Sequence, residues 1–359
     1  MTNMESDRFE RVSAVMRREV PDRVPWSLWG HFPACNWLSY YSWELAARSG
    51  EESARAHMAM LRELDYPMDL LKVTPYYRFM AMKWGSVFEF KDNEEEAPTV
   101  STIVKDAGDW AKLWVLNPRK ELREYVRCND VLARDLRTMP FIYTIPSPLI
   151  QAMNGVGTPE RVMEDMKSSP DALKEGLETI TETTIDFARA CVDAGASGIF
   201  FGIGGGGRVW RELSKGQLER YALGYDKRVL EAVDCPIKLM HICSTPQGNP
   251  QDKGLMDGGW FSKYPVDCIN WDAHEYTWLD EAKRVYGGKF AICGGLNRST
   301  TLRTGSPQEV EAEVQKAIAD AGEGGGFMLG PGCTVYQDMP RANYNAVGRA
   351  VSRYGWYRK

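Results

Sequence analysis

The chain has 359 residues, with 44 Lys and Arg against 49 Asp and Glu for a formal charge of −5, 43% hydrophobic residues and 11% aromatics. That balance excludes a strongly basic nucleic-acid binder, and the want of long polar tracts excludes a disordered chain. No apolar run approaches the roughly 18 residues that span a bilayer, and the charged opening MTNMESDRFERVSAVMRREV does not read as a signal peptide; a soluble, cytoplasmic protein with no membrane and no nucleic-acid partner is expected.

Taken in chain order, the β-rich runs are Val24–Trp29, Met68–Val73, Pro140–Thr144, Ser197–Gly202, Ile237–His241, Val266–Trp271, Lys289–Cys293 and Gly326–Gly330. Amphipathic stretches lie between them, several with explicit start signals. Thr158-Pro159, Ser169-Pro170 and Ser306-Pro307 each put a hydroxyl at the N-cap and proline at the first helical position, and Glu309 adds the acid of a capping box. Gly195 and Gly322 follow apolar helical runs and read as stops. Strands alternating with helices in this way predict an α/β fold, a (β/α)8 TIM barrel forming a single domain over residues 1–359, with its active site at the C-terminal ends of the strands. One stretch breaks the rhythm. Between Tyr76 and Trp110, two β-rich runs flank Asn93-Glu94-Glu95-Glu96, which predicts a β-hairpin excursion after the second strand with a solvated acidic tip.

Eight cysteines are spread through the chain, at 35, 128, 191, 235, 243, 268, 293 and 333, which argues against a disulfide scaffold. Cys191 and Cys268 sit in apolar runs and read as inert buried thiols. His241 and Cys243 differ. Side chains alternate along a strand, so residues 241 and 243 share a face and their imidazole and thiol converge on one point. A third ligand could come from Cys333, in the Pro331-Gly332-Cys333 turn after the last strand, or from Cys293 at the end of the seventh. One His and two Cys with an open fourth position is a catalytic zinc set.

Other residues gather at predicted strand ends. Asp272 follows strand six and could be a fourth ligand, a hydrogen-bond acceptor or a helix cap. Trp29 and His31 end strand one. Lys72 lies within strand two, where lysine is unexpected unless it faces a cavity or a partner. Of the remaining histidines, His57 falls in a helical stretch and reads as structural. The run Gly202-Ile203-Gly204-Gly205-Gly206-Gly207-Arg208 fits no phosphate-loop pattern and reads as a loop over the barrel mouth.

Several of these segments together resemble the uroporphyrinogen decarboxylase superfamily: Pro21-Asp22-Arg23-Val24-Pro25, His241-Ile242-Cys243, Asn270-Trp271-Asp272, Gly294-Gly295-Leu296-Asn297 through Val310, and Gly326 through Cys333. The resemblance covers nearly the whole chain and implies a (β/α)8 barrel. True decarboxylases carry an Arg-Gln-Ala-Gly-Arg motif after strand one, whereas the matching stretch here, Leu28-Trp29-Gly30-His31-Phe32, has no arginine. Within the superfamily the chain looks like the zinc-dependent corrinoid methyltransferase branch, which includes methylcobamide:coenzyme M methyltransferases. That branch's pattern implies His241, Cys243 and Cys333 as zinc ligands, leaving Cys293 without a counterpart.

The resemblance further implies methyl transfer between a small thiol or methyl ether and a corrinoid, methylcobalamin or cob(I)alamin, on a separate corrinoid protein. On this reading Asp272 or His31 handles the proton, and Trp29, Lys72, Tyr76 and Cys293 contact the small-molecule methyl donor or acceptor. A homodimer is left open. Two alternatives stand beside it: a decarboxylase or zinc lyase acting on a small carboxylate, using Lys72, Arg78 or Arg208, and a non-enzymatic zinc or corrinoid carrier.

Overall fold

A computed structural model describes residues 7–30, 43–90, 99–205, 208–243 and 250–357. Seven parallel strands form one sheet in chain order: β1 (Leu71–Val73), β4 (Phe141–Pro146), β5 (Gly198–Ile203), β6 (Ile237–Ile242), β7 (Cys268–Asn270), β8 (Ala291–Leu296) and β9 (Phe327–Pro331). Each pairs with its sequence neighbour because a helical crossover returns the chain to the same edge. The two short strands β2 (Val87–Phe88) and β3 (Thr99–Ser101) make the predicted antiparallel hairpin after the second barrel segment. Its acidic tip, 93–96, lies outside the described residues.

The eighth barrel segment is the one that departs from expectation. Val24–Trp29 carries a single bridge, Trp26 to Leu329, yet it closes the ring. On one side Ser27 N–H donates to the Leu329 carbonyl (3.0 Å) and Leu329 N–H to the Pro25 carbonyl (2.9 Å). On the other, Asp69 N–H donates to the Trp26 carbonyl (3.0 Å) and the Ser27 hydroxyl to the Leu70 carbonyl (2.8 Å). Because Asp69 serves this seam, the strand predicted from Met68 begins only at Leu71.

Local signals explain most helix starts. Thr158 accepts from Arg161 N–H (3.2 Å), and Ser306 and Glu309 form the expected capping box. Ser169 makes no side-chain cap, because it also closes the preceding helix, Pro159–Ser168, through its own N–H to Asp165. Gly195 takes the left-handed stop (φ +103°), whereas Gly322 stays right-handed and the chain turns instead at Gly324, Gly325 and Gly326 (φ +75°, +76° and +64°).

The barrel interior changes character along its axis. At the end where the strands begin, Leu70, Ile142, Leu239, Cys268, Ala291 and Met328 form a buried apolar layer, plugged by Val12, Val15 and Met16 of the helix Asp7–Met16. Each buried Leu or Ile there contributes roughly 1.5–3 kcal/mol. Two residues further along the same strands, on the same face, come Lys72, Thr144, His241 and Asn270. The polar end is the C-terminal end of the sheet.

Candidate active site

His241 sits on β6 between Gly202 of β5 and Asn270 of β7 in the strand register. Glycine at 202 leaves room on one side, and the ring stacks on Phe200 (centroids 5.2 Å apart). On the other side Asn270 decides its chemistry. The Asn270 Nδ2 amide donates to the carbonyls of Cys293 and Pro331, both at 3.0 Å, so its oxygen must face the imidazole. That oxygen lies 2.6 Å from His241 Nδ1, which therefore carries the proton and leaves the Nε2 lone pair free.

Nε2 points at Cys333 Sγ, 3.5 Å away. Cys243, one residue past β6, continues the ladder through its N–H to the Ile203 carbonyl (2.8 Å), which holds its side chain on the His241 face. The His241, Cys243 and Cys333 ligand atoms all lie within 4.8 Å of one another. Cys243 first, then His241 and Arg298, hold the Cys333 thiol well below its ordinary pKa against the opposing effect of burial. An available imidazole nitrogen and two convergent sulfurs, one of them biased to thiolate, suit a borderline-soft divalent ion.

These three residues open on a cavity of about 390 Å³, within the range of small-molecule sites. Its apolar wall includes Phe200, Ile150 and Ile203; Lys72, Thr74, Arg78, Thr144 and Asn154 supply polar groups. Lys72 is 4% exposed, and burial lowers its pKa to about 7, opposed by the negative character of Cys333 and Cys243. Thr74 is positioned from below: its N–H donates to His57 Nε2 (3.2 Å), and His57 Nδ1 bonds the Ser53 carbonyl (2.7 Å), a neutral buried histidine whose pKa burial lowers to about 4. This is the structural role expected of His57.

A family model for uroporphyrinogen decarboxylase (URO-D) matches residues 7–354. The chain belongs to that family. It is 26% identical to the uroporphyrinogen decarboxylase of Saccharophagus degradans over 377 aligned positions, covering 99% of both proteins, and 24% identical to that of Pseudoalteromonas atlantica, covering 99% of this chain and 98% of the other. Among solved structures it resembles a methyltransferase from Methanosarcina mazei (TM-score 0.80, 17% identity, 96% of this chain and 98% of the other). It also resembles a B12-independent methionine synthase from a Shewanella species in complex with selenomethionine (TM-score 0.60, 13% identity, 92% and 96%). At those identities the likeness is one of fold. Among the described residues, no helix is long and apolar enough to cross a membrane.

Within this family member, the structure brings His241, Cys243, Cys333 and Lys72 to one cavity, as the sequence led us to expect. Other residues expected at the substrate do not line this cavity. Trp29 and Cys293 face the barrel interior without lining the cavity: Trp29 packs edge-on to Phe200 (5.4 Å), and both crowd Gly330, where a Cβ would lie 2.8 Å from the Cys293 sulfur and 3.0 Å from the indole. Burial pushes the Cys293 thiol pKa well up.

Tyr76 turns away into an aromatic cluster with Phe88 and Phe90 of the hairpin, and its neighbour Tyr77 lines the cavity instead. Asp272 does not line it either. Its Oδ1 accepts from His274 N–H (3.1 Å), so it ties down the turn after β7, and Gly332 packs so closely that a Cβ there would lie 2.7 Å from Asp272 Cα. Burial, then the Cys333 charge, raises its carboxyl pKa. His31, Gly206, Gly207 and the side chain of Arg208 lie outside the described residues.

Proposed function

We propose that the protein is a zinc-dependent methyltransferase, moving a methyl group between a small thiol or methyl ether and a corrinoid carried by a partner protein. The observation that carries this reading is the His241 tautomer: a buried imidazole whose Nε2 lone pair is kept available by Asn270 and aimed at two cysteine sulfurs beside a cavity. When bound, zinc would supply a Lewis acid that holds a substrate thiol as thiolate or polarises an ether oxygen. The chain's own residues do the rest. His241, Cys243 and Cys333 would hold the ion, Phe200 keeps the imidazole ring flat against an apolar wall, and the Gly202–Gly205 segment with Tyr77 and Arg78 shapes the mouth. Burial of all three ligand residues to at least an intermediate degree limits water at the reacting centre. Asp272 acts as a positioning residue through the Gly332–Cys333 turn.

Metal analysis followed by incubation with methylcobalamin and a panel of thiols, and with cob(I)alamin and methoxyarenes, tests the reading. About one zinc per chain is expected, since three protein ligands make one catalytic site, with methyl transfer lost on chelation and restored by zinc. A protein that binds no metal, or one whose transfer survives chelation, would sink it.

A second reading, decarboxylation or lysis of a small carboxylate, draws on the decarboxylase names of the relatives and on the two cations, Lys72 and Arg78, at the cavity wall. Carbon dioxide release without any corrinoid would favour it.

A further inference from the structure

The three ligand residues are not held alike. His241 lies within β6 and Cys243 continues its ladder through the Ile203 carbonyl, so the sheet itself places both. Cys333 stands two residues past the last residue of β9. Its turn hangs on three other hydrogen bonds: Gly332 N–H donates to the Leu296 carbonyl (3.2 Å), Val335 N–H to the Trp29 carbonyl (2.8 Å), and Arg298 Nη1 to the Thr334 carbonyl (3.0 Å). Of these only the last comes from a side chain. Arg298 is itself on a fixed base, the loop after β8, where Asn297 N–H donates to Glu313 Oε2 (3.0 Å) and Asn297 Oδ1 accepts from the N–H groups of Ser299 (2.9 Å) and Thr300 (3.1 Å). From there the half-buried guanidinium reaches across to Thr334 and lies over the Tyr336 ring, 5.1 Å from its centroid. Its Nε–H is buried and meets no acceptor among the described residues. A buried donor left unmet is costly, so stability alone does not select this placement. The neighbouring Arg303 is the contrast: it lies over the same ring at 4.3 Å, but its Nε and Nη2 both donate to Asp338 Oδ2, at 2.9 and 2.7 Å.

We infer that Arg298 is a positioning residue of the metal centre: by gripping the Thr334 carbonyl and the Tyr336 ring from outside the cavity, it sets where the Cys333 sulfur meets His241. That sulfur lies 3.5 Å from His241 Nε2, and Thr334 is the next residue, so any drift of its carbonyl reaches the sulfur through a single peptide link. His241 has Asn270 behind it; Arg298 does for the cysteine turn what Asn270 does for the imidazole. Arg303, which brings its own acid, serves the fold. The inference rests on the metal-centre reading of His241, Cys243 and Cys333.

The test compares the full chain with Arg298→Met, Arg298→Lys and Arg303→Met. Zinc affinity is read by competition with a chromogenic chelator, and the sulfurs bound to the metal by X-ray absorption on the zinc-loaded samples. The parent is expected to show about two sulfurs per zinc, one from each ligating cysteine. Arg298→Met should bind zinc about 10–100-fold more weakly, the usual cost of removing a group behind a metal ligand, and show fewer sulfurs. Arg298→Lys keeps a charge and a donor without the planar fork and should recover part of the affinity. Arg303→Met should match the parent in both readouts. Melting in the presence of chelator separates positioning from folding: both arginines are half-buried, and both metal-free midpoints should stay close to that of the parent. Parental affinity and sulfur count in Arg298→Met overturn the inference. So does an equal loss in Arg303→Met, or an Arg298→Met chain that does not fold without metal, because the residue would then hold the loop or the domain and not the ligand. A parent that binds no zinc is a different result: it removes the metal-centre reading, and this inference falls with it.

Discussion

Asp69 and Lys72 lie three residues apart on one extended segment and are treated in opposite ways. At the end of the barrel where the strands begin, Asp69 is fully buried and fully met: Arg11 donates at 2.7 Å, Arg23 twice at 2.8 Å, and Trp26 N–H at 3.0 Å. Asp22 completes the network by taking both remaining Arg11 contacts at 2.6 Å. At the opposite end Lys72 is as deeply buried and meets no acid. Where the fold itself needs a charge, as at Asp69, it provides the partners; at the other end Lys72 lies over the face of Phe200, and His241 Nε2 and the Cys333 sulfur meet each other beside a cavity that can admit a ligand.

The sharpest way to break this contrast is at the open end. Cys243→Ser is expected to strip nearly all bound zinc and nearly all methyl transfer while changing stability by less than about 1 kcal/mol, since it trades one half-buried small side chain for another. Metal analysis and a denaturant titration on one preparation check both halves. Asp69→Ala should do the reverse. Two arginines would lose their buried partner, at a cost of about 3–5 kcal/mol, yet the fraction that stays folded should retain its zinc. If Asp69→Ala lost metal with its fold intact, the division between the two ends would not hold.

Much of this was legible before any coordinates, and the reason is the period of two. Alternation places 241 and 243 on one face, and the β-rich runs between amphipathic stretches mark what became β4 to β9, with boundary shifts of at most three residues. Alternation names a face, however, and says nothing about which inward side chains reach the cavity. That is why Trp29 and Cys293 were expected at the substrate: both face inward, but they pack around Gly330 and do not line the cavity. Cys333 was singled out among rival third ligands by family resemblance and not by spacing. Asn270 was missed in its role, because its value depends on standing opposite His241 in the β6–β7 register, and register between two strands is not written in either of them. The signal that existed was an amide at an inward position two residues before Asp272.

Asn270 also gives a subtler handle on the open end. With Asn270→Ala, Nδ1 loses its acceptor, the imidazole is free to protonate either nitrogen, and the ring is no longer held upright. Zinc affinity should fall about 10–100-fold, the usual cost of removing a hydrogen bond behind a ligating histidine. Competition with a chromogenic chelator measures it. Asn270→Asp should recover part of the loss, because a carboxylate can still accept from Nδ1; affinity equal to that of the parent in both variants would show that the tautomer is set elsewhere.

The smallest expected effect concerns a charge that belongs to neither end. Asp226, on the helix Gly224–Ala232, is 1% exposed; the Tyr264 hydroxyl donates to its Oδ2 (3.2 Å), and its Oδ1 has no partner. Burial raises its pKa to about 8, with the Tyr264 bond opposing only in part. The folded protein thus keeps this carboxyl protonated where the unfolded chain, with an ordinary pKa of about 3.9, has released its proton. Between those two values the folded state binds more protons, so the contribution to stability is greatest at acid pH and declines as pH rises toward 8. Asp226→Asn removes the titration without removing the polar group. Its thermal midpoint should match that of the parent near pH 4 and exceed it increasingly as pH rises toward 8. Zinc content should not move, because Asp226 does not line the active-site cavity. A parent and variant whose midpoints run parallel across that range would mean that Asp226 is ionised in the fold, and that the rule of full partnering away from the active site has been drawn too narrowly.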